Sequence, residues 1–394
     1  MQSLRFPTRL TDGKAHDQLL YFTSTSLTAD DRVIVFISDR AGRADPNVFA
    51  RDLASGRQWQ LTDNREGYLK SYVYFDGRPF TGLGRASVSL DAERRRVFYL
   101  QGRRVCCVPV DGSSKPVTLA ELPDDQVTAF THVSHDGRWL CVPTTDNRAL
   151  GDDLIAQGQL QLAIDRRVRE EGLSSYLNVF DTTTGRLVRR ERVVGAWITH
   201  VQFSPTDARQ ILYNHEWACD SGVRRMWLWD GKEHRPLRDE RDGRSRFDWV
   251  CHEMWERDGT GVIYHGGYRD NGPMFLGRVG PDGSGRVEIA LPDRFRPYGH
   301  FTSGRPGWLV SDGYYVSEDD ANPGQTGRWI CLVRVDWRAG RVLWIPLCLS
   351  GSSWDSQDAH PHPIFDHAGT NVLYTSDAEG CRAIYRIGVE DLVE

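Results

Sequence analysis

Short apolar runs, most of them ending on a polar turn, recur along the whole chain. They read IVFISD (Ile34 to Asp39), VFYL (Val97 to Leu100), WLCVPTTD (Trp139 to Asp146), ILYNHE (Ile211 to Glu216), VIYHGG (Val262 to Gly267), WLVSDG (Trp308 to Gly313) and VLYTSD (Val372 to Asp377). Most follow a tight polar turn such as His135-Asp136-Gly137-Arg138, Ser204-Pro205-Thr206-Asp207 or Arg257-Asp258-Gly259-Thr260. Asp, Gly and Pro in such clusters reverse a chain between antiparallel strands. A further strand and turn come next, as in VFARDLASGRQWQLT from Val48, LNVFDTTTGRLVRRERV from Leu177 and RVDWRAGRVLWIPL from Arg334. The pattern predicts seven units, each a four-stranded antiparallel meander.

Repeats of about 40 to 70 residues with almost no helical periodicity match the blades of a β-propeller, whose radial closure leaves only short sheet edges. The fold class is therefore all-β: a single seven-bladed propeller over residues 1–394. The last unit ends at IYRIGVEDLVE without room for an outer strand, and TRLT (Thr8 to Thr11) resembles the QWQLT that ends the first unit. The N-terminus is thus expected to close the ring. One exception to the strand pattern lies at about 150–172, where Leu154, Ile155, Leu160, Leu162, Ala163, Ile164 and Val168 read as an amphipathic helical insertion. Partial cover for the central opening and a plain packing excursion are both open for it.

A chain of 394 residues exceeds the usual single core, and the modular ring resolves that difficulty. A hydrophobic content of 39%, with 13 Trp and 14 Tyr, supplies strand-forming residues in quantity. The formal charge of −5 and the lack of a basic stripe argue against a nucleic-acid partner. Neither an apolar N-terminal leader nor a membrane-length apolar stretch is present, which points to no membrane partner and a cytoplasmic location. Eight scattered cysteines without a CxxC pair read as buried thiols. Nothing in the sequence bears on oligomeric state.

The innermost strands of a propeller line its axis, so polar side chains on them converge. The strands preceding the apolar runs carry His132, His200, His252, His300, His360 and His362, an unusual share of 12 histidines. The sharpest signal is Gln357-Asp358-Ala359-His360-Pro361-His362-Pro363. Two histidines at i and i+2 of a strand share a face, and prolines suit an inner edge strand. Imidazoles with an amide oxygen favour a borderline divalent metal over Ca²⁺. The bland reading, histidines hydrogen-bonded at the channel wall, stays open at this level. A second constellation joins His215, Glu216, Arg224, Arg225, His252 and Glu253. An imidazole beside a guanidinium suits proton abstraction from a carbon acid, with Arg holding a carboxylate; solvated or turn-bound side chains are the plain alternative. No GxSxG, HExxH, Walker or GxGxxG motif is present.

With these residues in view the chain resembles the oligogalacturonate lyase family, seven-bladed propellers that cleave pectic uronides. The likeness runs from RLTDGKAHDQLLYFTSTSLTADDRVIVFISDR through HEMW and GHFTSGRPGWLVSDG to QDAHPHPIFDHAGTNVLYTSD. The resemblance implies Mn²⁺ or another divalent ion held by His300, Gln357, His360 and His362. It implies His252 as the proton-abstracting base and Arg225 as a catalytic and substrate-binding residue, with His215 and His200 near the substrate, an oligogalacturonide. The implied activity is metal-assisted β-elimination giving 4,5-unsaturated uronates. The chain departs from the pattern in two places: it has only His16 where relatives show a histidine pair, and His215-Glu216-Trp217 lacks a Gly-Pro. Two alternatives remain: a propeller lyase for another uronic-acid oligosaccharide, and a noncatalytic TolB-like binding propeller.

Overall fold

The structure is a computed structural model, described for residues 5–69, 80–128, 130–150, 160–216, 223–239, 248–268, 272–291, 295–296, 299–312, 314–315 and 329–393. Each of the seven apolar runs forms the second strand of its own antiparallel sheet. In the first blade, Val33–Ser38 lies between Asp17–Leu19 and Asn47–Asp52, and Gln58–Gln60 forms the outer edge. The fifth repeats this with Trp249–Trp255, Val262–Gly267, Met274–Val279 and Val287–Ala290. The third blade differs, because Gln126–Thr128 and His132–Val133 both pair with Trp139–Asp146.

Ring closure is as the sequence predicts. Thr8–Arg9 forms the outer strand of the seventh sheet, pairing with Ala383–Gly388 in the register Thr8 to Arg386 and Arg9 to Tyr385. The amide of Leu10 continues this ladder onto the Ile384 carbonyl. One element had no sequence signal: a two-stranded ribbon of Phe295–Arg296 with Tyr314–Tyr315.

Strand alternation explains how the blades stack. On Val33–Ser38, Ile34 and Phe36 enter the large cluster that reaches the axis, whereas Val33, Val35 and Ile37 pack toward the second blade. Successive side chains point to opposite faces, and both faces are covered by neighbouring structure, so the run is apolar throughout. Each fully buried Ile, Val or Phe contributes about 1.5 to 3 kcal/mol.

The helical insertion is present as Leu160–Glu170; residues 151–159 of the expected segment, with Leu154 and Ile155, lie outside the described residues. Ile164 and Val168 are fully buried in the cluster that also holds Tyr21, Phe22, Phe130 and Trp197. The helix is therefore packed into the apolar centre of the ring.

Candidate metal centre

Three histidines from two adjacent blades meet at one point. His300 precedes the inner strand Phe301–Ser303 of the sixth blade, and His360 and His362 precede Ile364–Phe365 of the seventh. One ring nitrogen of each lies within 4.8 Å of the other two. The ring centroids of His300 and His362 are 4.1 Å apart, and those of His300 and His360 5.5 Å apart.

The route to this convergence differs from the strand-face argument. His360 to Pro363 are not in a strand, and His362 adopts a left-handed backbone with φ of 45°. Gln357 sits on a single 3-10 turn, Gln357–Ala359, instead of an edge strand. Left-handed backbone in a non-glycine residue is uncommon and needs local support. That support is Asp312, fully buried at the end of strand Trp308–Ser311. Its carboxylate accepts the His300 amide at 2.6 Å, His300 Nδ1 at 3.0 Å and the His362 amide at 3.1 Å. One side chain thus ties both blades together and leaves Nε2 as the His300 nitrogen not taken by Asp312. A carboxylate behind a ligating histidine is a recurrent way to fix its ring.

The donor set fits a borderline metal. Nδ1 of His360 and Nε2 of His362 are buried and meet no hydrogen-bond partner. Buried polar nitrogens are normally satisfied, so two orphans beside a third imidazole are a donor set that suits a metal ion. Gln357 lines the same small cavity as His360, His362, Gln18, Tyr21 and Arg85. Burial holds His360 down to about 4 and His300 and His362 well below the ordinary imidazole range, so all three are neutral, the ligating form. Trp354, also left-handed with φ of 60°, packs against His360 at a tilt of 32° with centroids 4.2 Å apart.

His252 stands next to this cluster. Its ring centroid is 4.4 Å from that of His300. The fifth blade's inner strand bulges here: Cys251 pairs with His265 and Met254 with Ile263, so His252 and Glu253 together oppose Tyr264. His252 takes the left-handed φ of 52°. A bulge of this kind re-aims side chains at a rim. Nδ1 of His252 lies 2.8 Å from Nε2 of the buried His265. Burial first, and then the Arg225 charge, lowers the His252 pKa.

Arg225 faces two glutamates of its own chain. Its side chain is buried; Nε and Nη2 engage Glu253 at 2.8 and 3.4 Å, and Nη1 engages Glu216 at 3.3 Å. The paired donors are turned onto protein carboxylates, because burying a guanidinium without counter-charge is prohibitive. His200 is similarly committed: Tyr21 Oη meets Nε2 at 3.1 Å, Thr199 Oγ1 meets Nδ1 at 3.0 Å, and the ring stacks on Phe130 at 4.4 Å. His215 packs on Tyr213 and Trp227, with burial pushing its pKa down to about 4. Trp217 lies outside the described residues.

Sequence reasoning missed Tyr21, Phe22, His265 and Asp312. The Tyr21 ring is 5.1 Å from His362, and the Phe22 ring 4.7 Å from His300. The first-blade residues Tyr21 and Phe22 sit in an apolar stretch with no chemical signature; the Asp in WLVSDG was visible only as a turn residue. A larger cavity of about 490 Å³ lies at the far ends of the fifth and sixth inner strands, among Arg257, Arg278, Arg305 and Trp337, with no histidine in its lining.

No protein-family profile matches the chain. Oligogalacturonide lyase of Pectobacterium atrosepticum is 28% identical over 231 residues, 53% of this chain and 56% of that protein. Oligogalacturonate lyase of Dickeya dadantii is 26% identical over 211 residues, 50% and 51% of the two chains. The matches therefore span about half the length of these relatives. Among solved structures, an oligogalacturonate lyase in complex with manganese superposes with a TM-score of 0.74 at 21% identity, covering 98% of this chain and 94% of that one. The chain is thus similar to oligogalacturonate lyases in sequence over about half its length and in fold over nearly all of it.

Proposed function

We propose that this propeller is a metal-dependent lyase that cleaves short pectic galacturonides by β-elimination. The observation that carries the reading is the meeting of three neutral imidazoles from two blades, His300 and His362 buried and His360 half-buried, two with orphaned nitrogens, beside the bulged His252. The similarity to an oligogalacturonide lyase and an oligogalacturonate lyase suggests the substrate class.

His300, His360, His362 and Gln357 would hold the ion, Mn²⁺ by preference for imidazole with amide oxygen. When bound, such an ion draws charge from a uronate carboxylate and so acidifies the neighbouring C5 hydrogen. His252, neutral near pH 7, takes that proton. The C5–H electron pair forms the C4–C5 double bond, the C4–O bond breaks, and the departing oxygen takes a proton from water. Arg225 acts one layer back: its pair with Glu253 holds the residue next to His252 in the bulge, and its charge disfavours an imidazolium there.

The test is the ultraviolet absorbance of an unsaturated uronide, followed on digalacturonate and trigalacturonate with Mn²⁺, with chelator, and with chelator then Mn²⁺. Absorbance should grow, stop, and resume. No growth on any uronide with any divalent ion would end the lyase reading.

A further inference from the structure

His265 is fully buried on the second strand of the fifth blade, facing the bulge in the inner strand. Its Nε2 lies 2.8 Å from His252 Nδ1, so one hydrogen sits between the two rings. Two arrangements satisfy that contact. Either His252 donates from Nδ1 and keeps a bare Nε2, or His265 donates from Nε2 and leaves its own Nδ1 bare. His265 Nδ1 is buried and has no good hydrogen-bond partner. The Gly299 carbonyl neighbours both this ring and that of His252, so it does not choose between the two arrangements. A proton-accepting His252 needs the first arrangement, because only that one leaves its Nε2 bare.

We infer that His265 is a positioning residue: it accepts the Nδ1 hydrogen of His252 and thereby fixes that ring in the tautomer whose Nε2 carries the lone pair. This rests on the reading of His252 as the proton acceptor. Free imidazole in water divides between both tautomers, so an unpartnered His252 would be competent only part of the time and free to rotate. The surroundings support a fixed device. His265 lies between the Trp249 and Phe301 rings, with centroids 5.3 and 5.5 Å away. The next residue, Gly266, has no room for a Cβ, which would meet the Trp249 carbonyl oxygen at 2.1 Å.

The experiment is two-bond ¹H–¹⁵N correlation on histidine-labelled full-length protein, metal-free and Zn²⁺-loaded, joined to kinetics on digalacturonate with Mn²⁺. Wild type should show His252 protonated at Nδ1. His265→Phe should lose that signature and lower kcat roughly ten- to hundredfold, the worth of a buried hydrogen bond to a reacting group, with KM little changed. His265→Gln, whose amide oxygen also accepts, should recover part of kcat. A wild-type His252 protonated at Nε2, or a folded His265→Phe with full kcat, overturns the inference. If wild type cleaves no uronide but carries the Nδ1 hydrogen and loses it in His265→Phe, the tautomer lock stands and the lyase reading falls. Should His265→Phe fail to fold, the wild-type spectrum and the Gln variant decide.

Discussion

Replacing Asp312 by asparagine should separate the stability of the protein from its affinity for metal. The carboxylate accepts three N–H groups, two of them on Oδ2. Asparagine keeps one acceptor and turns an NH₂ toward the His300 Nδ1 and His362 amide hydrogens. Two hydrogen bonds are lost, at about 1 to 1.5 kcal/mol each. Against this, burial pushes Asp312 up to about 6, from 3.8, despite its hydrogen bonds to the His300 and His362 amides. A carboxylate raised by that much lowers folded-state stability by roughly 3 kcal/mol above pH 6, where both states are ionised, and the penalty fades as pH falls toward 4. Asparagine removes the penalty along with the bonds, so the two terms nearly cancel. The metal-free variant should melt near the wild-type temperature at pH 7.5. Metal affinity should behave otherwise, because His300 and His362 lose their common anchor and the site loses its negative charge. Outer partners of this kind are worth about ten- to a hundredfold in affinity. Calorimetric titration with Mn²⁺, alongside thermal melts with and without the ion, measures both. A metal-free variant destabilised by well over about 3 kcal/mol, or one with wild-type Mn²⁺ affinity, would refute the argument.

Three further expectations follow from the packing. Gly266→Ala places a Cβ against the Trp249 carbonyl and the Phe275 ring, so it should lower stability by about 1 to 3 kcal/mol in urea unfolding. Phe130→Ala removes a fully buried ring that stacks on His200 and lies 4.1 Å from Tyr21, and should cost about 3 to 5 kcal/mol in the same assay. Burial holds His132 down to about 4, with Nδ1 accepting the Phe203 amide. The unfolded chain therefore takes up this proton first: the stability is fully present above about pH 6.5 and drains away as pH falls toward 4. Melting temperature against pH should fall less steeply in that window for His132→Gln than for wild type.

The legible part of the site was the part carried by residue chemistry. Gln357, His360 and His362 crowd into one short run, and His300 recurs at the matching place in the preceding repeat. The three histidines meet because adjacent blades bring together the irregular backbone that precedes their inner strands. The illegible part was made by groups whose role is positional. Asp312 looked like any strand-ending turn residue, and His265 like one more polar residue in VIYHGG. Arg225 carries the right chemistry for a substrate carboxylate, and its pairing with Glu216 and Glu253 was not legible in the sequence.

The sequence by itself determined the seven-fold repeat and the closing N-terminal strand, and it put His300, Gln357, His360 and His362 forward as candidate ligands, since periodicity, turn chemistry and residue type are local properties of the chain. Only the tertiary structure decided how those side chains are aimed. Left-handed backbone at His252 and His362, the shared carboxylate of Asp312 and the His252 to His265 contact all arise where separate strands or blades press together. Such strain persists because the surrounding packing is worth more than the local conformational penalty, and that balance is written in no single segment of the chain.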